Sequence, residues 1–137
     1  MNVYEKLMAV QTKLRAPKGQ YNSFGKYSYR SCEDILEALK PLLAEVGAIV
    51  NVSDEIKLIG DRFYVEATAS FIDIETGERM IAKASAREAE TKKGMDDSQV
   101  TGSVSSYARK YALNGLFAID DNKDADSTNT HSKDIKP

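Results

Sequence analysis

Aromatic and basic side chains alternate in the segment KYSYR, residues 26–30, which ends a stretch (16–30) that has no acidic residue. Cations can neutralise phosphates and flat rings can stack on bases, so this material is typical of surfaces that bind single-stranded nucleic acid. The competing interpretation is that the rings pack into the core, as many tyrosines do. For Tyr27 and Tyr29 we expect one ring of each kind, with Tyr29 buried because it adjoins a predicted helix start. The candidate nucleic-acid-binding residues here are Lys18, Lys26, Tyr27 and Arg30.

A second basic group lies between residues 83 and 110. The period of a strand places Lys83 and Arg87 on one side, and a basic loop follows them. The last predicted helix contains several glycine and serine residues (102–106), which are poor helix formers but allow a backbone or a phosphate to approach closely. A solvated strand face and close helix packing would give the same patterns. The candidate binding residues, which we expect to form one surface, are Lys83, Arg87, Lys92, Lys93, Ser103, Arg109 and Lys110.

The charge distribution supports this interpretation better than the net charge of −2 does. Residues 1–30 contain six basic groups and one acidic group, whereas residues 31–82 contain four basic and eleven acidic groups. Residues 83–110 are basic again, with six basic groups against four acidic ones. A local basic face, rather than the total charge, determines phosphate contact.

The composition excludes several classes of site. One cysteine and one histidine cannot form a disulfide framework, a zinc cluster or a histidine-based triad within one chain, and they indicate a reducing cytoplasm. No apolar run approaches the length of a membrane span, and the N-terminus has no secretory signal. The segment GQYNSFGK has the wrong spacing for a phosphate-binding P-loop, and a tyrosine replaces the required Ser or Thr. We therefore expect no cofactor and no membrane contact.

Two other functions remain open at this point. A cluster of carboxylates could hold metal ions for nuclease chemistry, although helix capping explains the first two members more simply. Alternatively, the chain is a general module that binds RNA or single-stranded DNA. The carboxylates in question are Asp96, Asp97, Asp120, Asp121, Asp124 and Asp126.

The residue pattern predicts an α+β fold with the element order α-α-β-β-β-α. Helices are expected over residues 2–15 and 31–46, the second with a kink or break near Lys40 because Pro41 follows. Residues 48–59, 62–73 and 80–87 alternate as strands of an antiparallel meander on which the helices pack. The last helix, 97–114, should end at Asn114-Gly115. Its expected buried stripe consists of Val100, Val104, Tyr107, Ala108 and Tyr111.

The expected domain organisation is one domain over residues 1–119. Residues 120–137 form an acidic, polar tail, which we expect to be disordered because it has almost no large apolar side chain.

Two long blocks, KYSYRSCEDILEALKPLL and GMDDSQVTGSVSSYARKYALNGLFAIDD, resemble the ERF (essential recombination function) family of phage single-strand annealing proteins. The later DDNKDAD fits as well, and the resemblance covers roughly residues 1–126. It implies a recombinase without a catalytic site, which binds single-stranded DNA and anneals complementary strands without ATP. It also implies a fold related to other strand-annealing proteins and assembly into rings or helical filaments. A single-strand-binding protein of the host or phage is an expected partner, and the host cytoplasm is the expected location.

Overall fold

The structure of the chain, a computed structural model, describes residues 1–87 and 97–120. In this part the helices are α1 (Val3–Lys13), α2 (Cys32–Val46) and α3 (Asp97–Phe117). The strands are β1 (Gln20–Asn22), β2 (Tyr27–Tyr29), β3 (Ala48–Ile59), β4 (Arg62–Asp73) and β5 (Arg79–Arg87). The predicted α+β class and the antiparallel β3-β4-β5 meander are confirmed. The small β1–β2 hairpin was not predicted: residues 16–30 read only as a loop and an extended stretch.

The helices cover one face of the β3-β4-β5 sheet. The alternate residues of β4 that face them are buried, and the Phe71 ring meets the edge of Phe117 on α3 with 6.1 Å between the ring centroids. The neighbouring positions on this face carry alanines, which let α3 approach so closely that a Cβ added at Gly115 would lie 3.9 Å from the Ala82 Cβ. Small side chains on the sheet therefore set the close packing of α3.

Local signals in the sequence fix the helix ends. Asn2 and Glu5 form a reciprocal capping box at α1, and Ser31 and Asp34 form another at α2. The backbone N–H of Ser31 donates to Asp34 and holds the pKa of that carboxyl below its usual range. Gly47 ends α2 with a left-handed φ of 79°.

One predicted break within a helix and one predicted helix boundary are wrong. α2 runs unbroken through Pro41, because this proline lies on the exposed side, where water can satisfy the carbonyl that loses its N–H partner. α3 continues past Asn114-Gly115 to Phe117, whose buried ring contacts the core. Tertiary packing outweighs the weak helix propensity of one glycine.

A buried ion pair joins α1 to the end of β4. Lys6 is 3% exposed and Asp73 is 1% exposed, and the Lys6 Nζ lies 2.7 Å from the Asp73 Oδ1. The same ammonium group lies 2.9 Å from the exposed Glu75 carboxylate. Charges are rarely so deeply buried unless they are paired, so this contact constrains how α1 docks.

The predicted basic loop with Lys92 and Lys93, and the predicted tail from residue 121 onward, lie outside the described residues. So do Asp96, Asp121, Asp124 and Asp126.

Candidate nucleic-acid interface

The β1–β2 hairpin presents two tyrosine rings on one side. Tyr27 and Tyr29 have their ring centroids 5.9 Å apart, as expected from their alternate spacing. Asn22 organises the turn, because its side-chain oxygen accepts from the Gly25 N–H and its amide donates to the Tyr27 hydroxyl. A Cβ added at Gly25 would lie 2.4 Å from the Tyr27 ring, so a glycine is needed for the ring to take this position. Both rings are half-buried, so the expectation that Tyr29 alone is buried is wrong.

A cleft of about 340 Å³ separates the end of this hairpin and the start of α2 from α3. One wall carries Tyr29, Arg30 and Glu33, and the other carries Ser103, Tyr107 and Lys110. Lys110 lies over the Tyr29 ring, with its Nζ 5.8 Å from the ring centroid, which is within range of a cation–π contact. The cleft therefore brings together three of the predicted binding residues, Arg30, Ser103 and Lys110.

Tyr107 and Tyr111 of α3 are exposed, contrary to the prediction that they belong to the buried stripe. They are 47% and 48% exposed, and their rings stack with centroids 6.3 Å apart. Ala108 is buried, as predicted, and Ala112 is buried with it. The side chain of Val100, which was also predicted to lie in the stripe, is outside the described residues. Tyr107 thus lines the cleft, which the sequence prediction missed.

The α3 face at the cleft has a periodic signal that could have been found from the sequence. Ser103, Ser106, Tyr107 and Lys110 follow the spacing i, i+3, i+4 and i+7, which places them on one helix face. The missed cleft residues on the other wall, Tyr29 and Glu33, have no such signal because they lie on different elements.

Arg109 has a different position from Lys110. Its Nε donates to the Asp54 Oδ2 on β3 at 2.9 Å, and the Ser105 hydroxyl donates to the same oxygen. The hydrogen bonds from Arg109 and Ser105 hold the pKa of the Asp54 carboxyl below its usual range, and the bond to Asp54 raises the pKa of Arg109. The Arg109 charge is therefore compensated within the fold.

This difference between neighbouring cations gives a prediction. Replacing Arg109 with alanine should lower the free energy of unfolding by about 1 kcal/mol, a value limited by solvent because the pair is partly exposed. Replacing Lys110 with alanine should lower the melting temperature less, because its contact with the Tyr29 ring joins two partly exposed groups. Thermal melts of both variants test this, and equal melting temperatures for the two variants would contradict it.

The remaining predicted cations are distributed over other surfaces. Lys83 and Arg87 lie on the sheet face opposite α3. The expectation that they form one surface with Arg109 and Lys110 is therefore wrong. Successive side chains of a strand point to opposite faces of the sheet. Ala82 and Ala84 face α3, so the neighbouring Lys83 points away from it. Lys26 is exposed in the hairpin turn with a left-handed φ of 59°, and Lys18 is half-buried in the loop before β1.

The chemistry that the cleft can provide is binding. Arg30 is held in place because its Nε donates to the Ala16 carbonyl at 2.6 Å. Burial raises the pKa of the Cys32 thiol at the cleft, so this group stays protonated at neutral pH and is a poor nucleophile. Among the side chains that the structure describes in residues 1–87 and 102–120, no group of three or more His, Cys, Asp or Glu is placed to hold a metal ion. Nor is any helix there long and apolar enough to cross a membrane.

Comparison with known proteins identifies the family. A family model described as the ERF superfamily matches residues 3–137. The Essential recombination function protein of Salmonella phage P22 is 64% identical to the chain over 124 residues, which is 90% of this chain and 58% of that protein. The chain thus spans less than two thirds of the length of this relative. No solved structure matches. Because the family model covers nearly the whole chain, and because the two sequence blocks carry the same resemblance, the chain belongs to the ERF superfamily.

Proposed function

We propose that the chain binds single-stranded DNA in the cleft and anneals complementary strands in phage homologous recombination, without a nucleotide cofactor and without a catalytic site. The observation that carries this proposal is the combination of Tyr29, Tyr107, Arg30 and Lys110 around one cavity. Rings that stack on bases and cations that neutralise phosphates are what binding of a single strand requires. The name of the phage P22 relative, a recombination function protein, supports the same conclusion.

Annealing requires a surface rather than a reacting group. Phosphate contacts give affinity without sequence preference, and they leave base edges available to a second strand. Two strands repel each other, and cations beside them lower that barrier. Lys83 and Arg87, on the opposite sheet face, would provide cations for a strand that is bound to a neighbouring copy.

Assembly follows from the size of the site. One domain contacts only a few nucleotides, so several copies on one strand supply the necessary avidity. We propose that the chain forms homo-oligomers, as rings or helical filaments, and that it works in the bacterial host cytoplasm. A single-strand-binding protein of the host or phage is a further proposed partner.

The decisive experiment is annealing of two complementary oligonucleotides without nucleotide. We expect the wild-type chain to accelerate annealing. We also expect its affinity for single strands to fall, for each log unit of salt concentration, by about 0.7 log units per phosphate contact. A Lys110→Gln variant should anneal the strands more slowly while it remains folded in a thermal melt. Salt-independent binding, or tighter binding to blunt duplex, would contradict the proposal. Strand cleavage on addition of magnesium would instead indicate a nuclease.

Self-association is expected to depend on residues 1–126 rather than on the later ones, because the predicted tail has too little apolar surface for an interface. A chain that ends at Asp126 should keep the particle size of the 137-residue chain in light scattering. A change to monomers would show that residues after 126 hold the assembly together.

A further inference from the structure

The cleft contains a carboxylate that phosphate binding does not explain. Glu33 lines the cleft beside Arg30 and is exposed at the second position of α2. Within the described residues it has no ion-pair partner, whereas Glu37, one turn further on, lies 2.6 Å from the Lys40 Nζ. An acidic residue in the first turn stabilises a helix. That role accounts for the residue type but does not require a position in a cleft with two cations.

A carboxylate that lines the cleft can face a base of a bound strand. It repels phosphates, so a backbone that follows Arg30 and Lys110 has to avoid it. An ionised carboxylate can only accept hydrogen bonds. Cytosine presents an amino group where thymine presents a carbonyl oxygen, so a carboxylate can accept from the former and repels the latter. The amino group has two hydrogens, and the one on the major-groove edge is not used in base pairing, so this contact leaves the pairing edge available to a second strand.

We infer that Glu33 gives the cleft a preference for bases with an exocyclic amino group, and that cytosine is preferred over thymine. This inference rests on the proposed function, because it requires a single strand in the cleft. The hydroxyls of Ser103 and Ser106 both donate and accept, so they fit either base and add no discrimination. One hydrogen bond of this kind corresponds to about a fivefold difference in affinity.

The test compares fluorescent oligo-dC and oligo-dT of equal length at mildly alkaline pH, where cytosine is neutral. Both are pyrimidines, so differences in ring size and self-stacking are small. The wild-type chain should bind oligo-dC about fivefold more tightly. In Glu33→Gln the ratio of the affinities for oligo-dC and oligo-dT should fall towards one. The main reason is tighter binding of oligo-dT, because the glutamine amide can donate to the thymine carbonyl.

Glu37→Gln is the matched control, because it removes the same charge from the same helix outside the cleft. It should leave the ratio unchanged. Equal affinities in the wild type, or a ratio that survives Glu33→Gln, would overturn the inference. If both variants bound both oligonucleotides more tightly by the same factor, Glu33 would act only by general repulsion of the strand. That result would overturn the inference too. Absence of binding to either oligonucleotide would refute the proposed function itself, a result distinct from equal binding.

Discussion

Replacing Lys6 with methionine is expected to lower the melting temperature by roughly 10 °C. Methionine fills a similar volume, but it leaves the Asp73 carboxylate, which is 1% exposed, without its charged partner. The second oxygen of this carboxylate, Oδ2, already has no hydrogen-bond partner within the described residues. An uncompensated buried charge is much more costly than a lost surface contact.

The stabilising effect of the Lys6–Asp73 pair should depend on pH. The hydrogen bond from Lys6 holds the pKa of Asp73 below its usual range, and the same contact raises the pKa of Lys6. The Asp73 contribution to stability is therefore present above about pH 4 and is lost as the pH falls through the folded-state pKa. The Lys6 contribution is present below about pH 10 and is lost at higher pH. The difference in melting temperature between wild type and Lys6→Met should narrow in acid.

Lys13→Met is the control for this experiment. Lys13 lies on the same helix and pairs with Glu45, but both side chains are more than half exposed, so the loss should be within about 1 kcal/mol. Melting curves of the two variants at neutral and acidic pH provide the measurement. Equal melting temperatures for the two variants at neutral pH would mean that the buried pair does not stabilise α1.

Replacing Tyr107 with alanine is expected to weaken binding of single-stranded DNA about tenfold, within the 1–3 kcal/mol typical of a ring that stacks on a base. The ring is almost half exposed and lines the cleft, so its removal should cost little stability. Fluorescence anisotropy with a labelled oligonucleotide measures the affinity, and a thermal melt confirms the fold.

Tyr111→Ala is a closely matched control. It removes the same ring from the next turn of the same helix at nearly the same exposure, but Tyr111 does not line the cleft. We expect a smaller effect on affinity than for Tyr107→Ala. If both variants lost affinity equally, the binding surface would be the tyrosine stack on the helix rather than the cleft.

The sequence alone was sufficient where the signal is local. The capping boxes at Asn2 and Ser31, the left-handed Gly47 and the alternation of β4 each depend on residues within a few positions of one another, and all were predictable. The break expected at Pro41 does not occur because this proline lies on the exposed side of α2, and the end expected at Gly115 does not occur because burial of Phe117 outweighs the cost of one glycine. Helix propensity measures the free-energy cost of a residue in an isolated helix, whereas the tertiary contacts determine whether the helix continues in spite of that cost.

The candidate site was only partly predictable for a similar reason. Basic composition identified Arg30 and Lys110, and the run of glycine and serine residues in the last helix identified Ser103; the cleft brings these three together. The rotation of α3 could not be predicted, because a stripe that contains both alanines and tyrosines fits two orientations. The alanines of β5 select the orientation in which Ala108 is buried and Tyr107 is exposed. That selection depends on a strand more than ten residues away in the sequence.

The docking of α1 also has a consequence for synthesis on the ribosome. Lys6 finds Asp73 only after 67 further residues have been made, and Gln11 finds the carbonyl of Leu116 only after 105. At about 5–20 residues per second, the first helix waits roughly 5–20 s for its last partner. Until β5 has been made, the apolar side of this helix, with Val3, Leu7 and Val10, has no complete sheet to cover it. The segment made first is therefore among the last to reach its native position, and the nascent chain is most vulnerable to chaperone capture or aggregation in this interval.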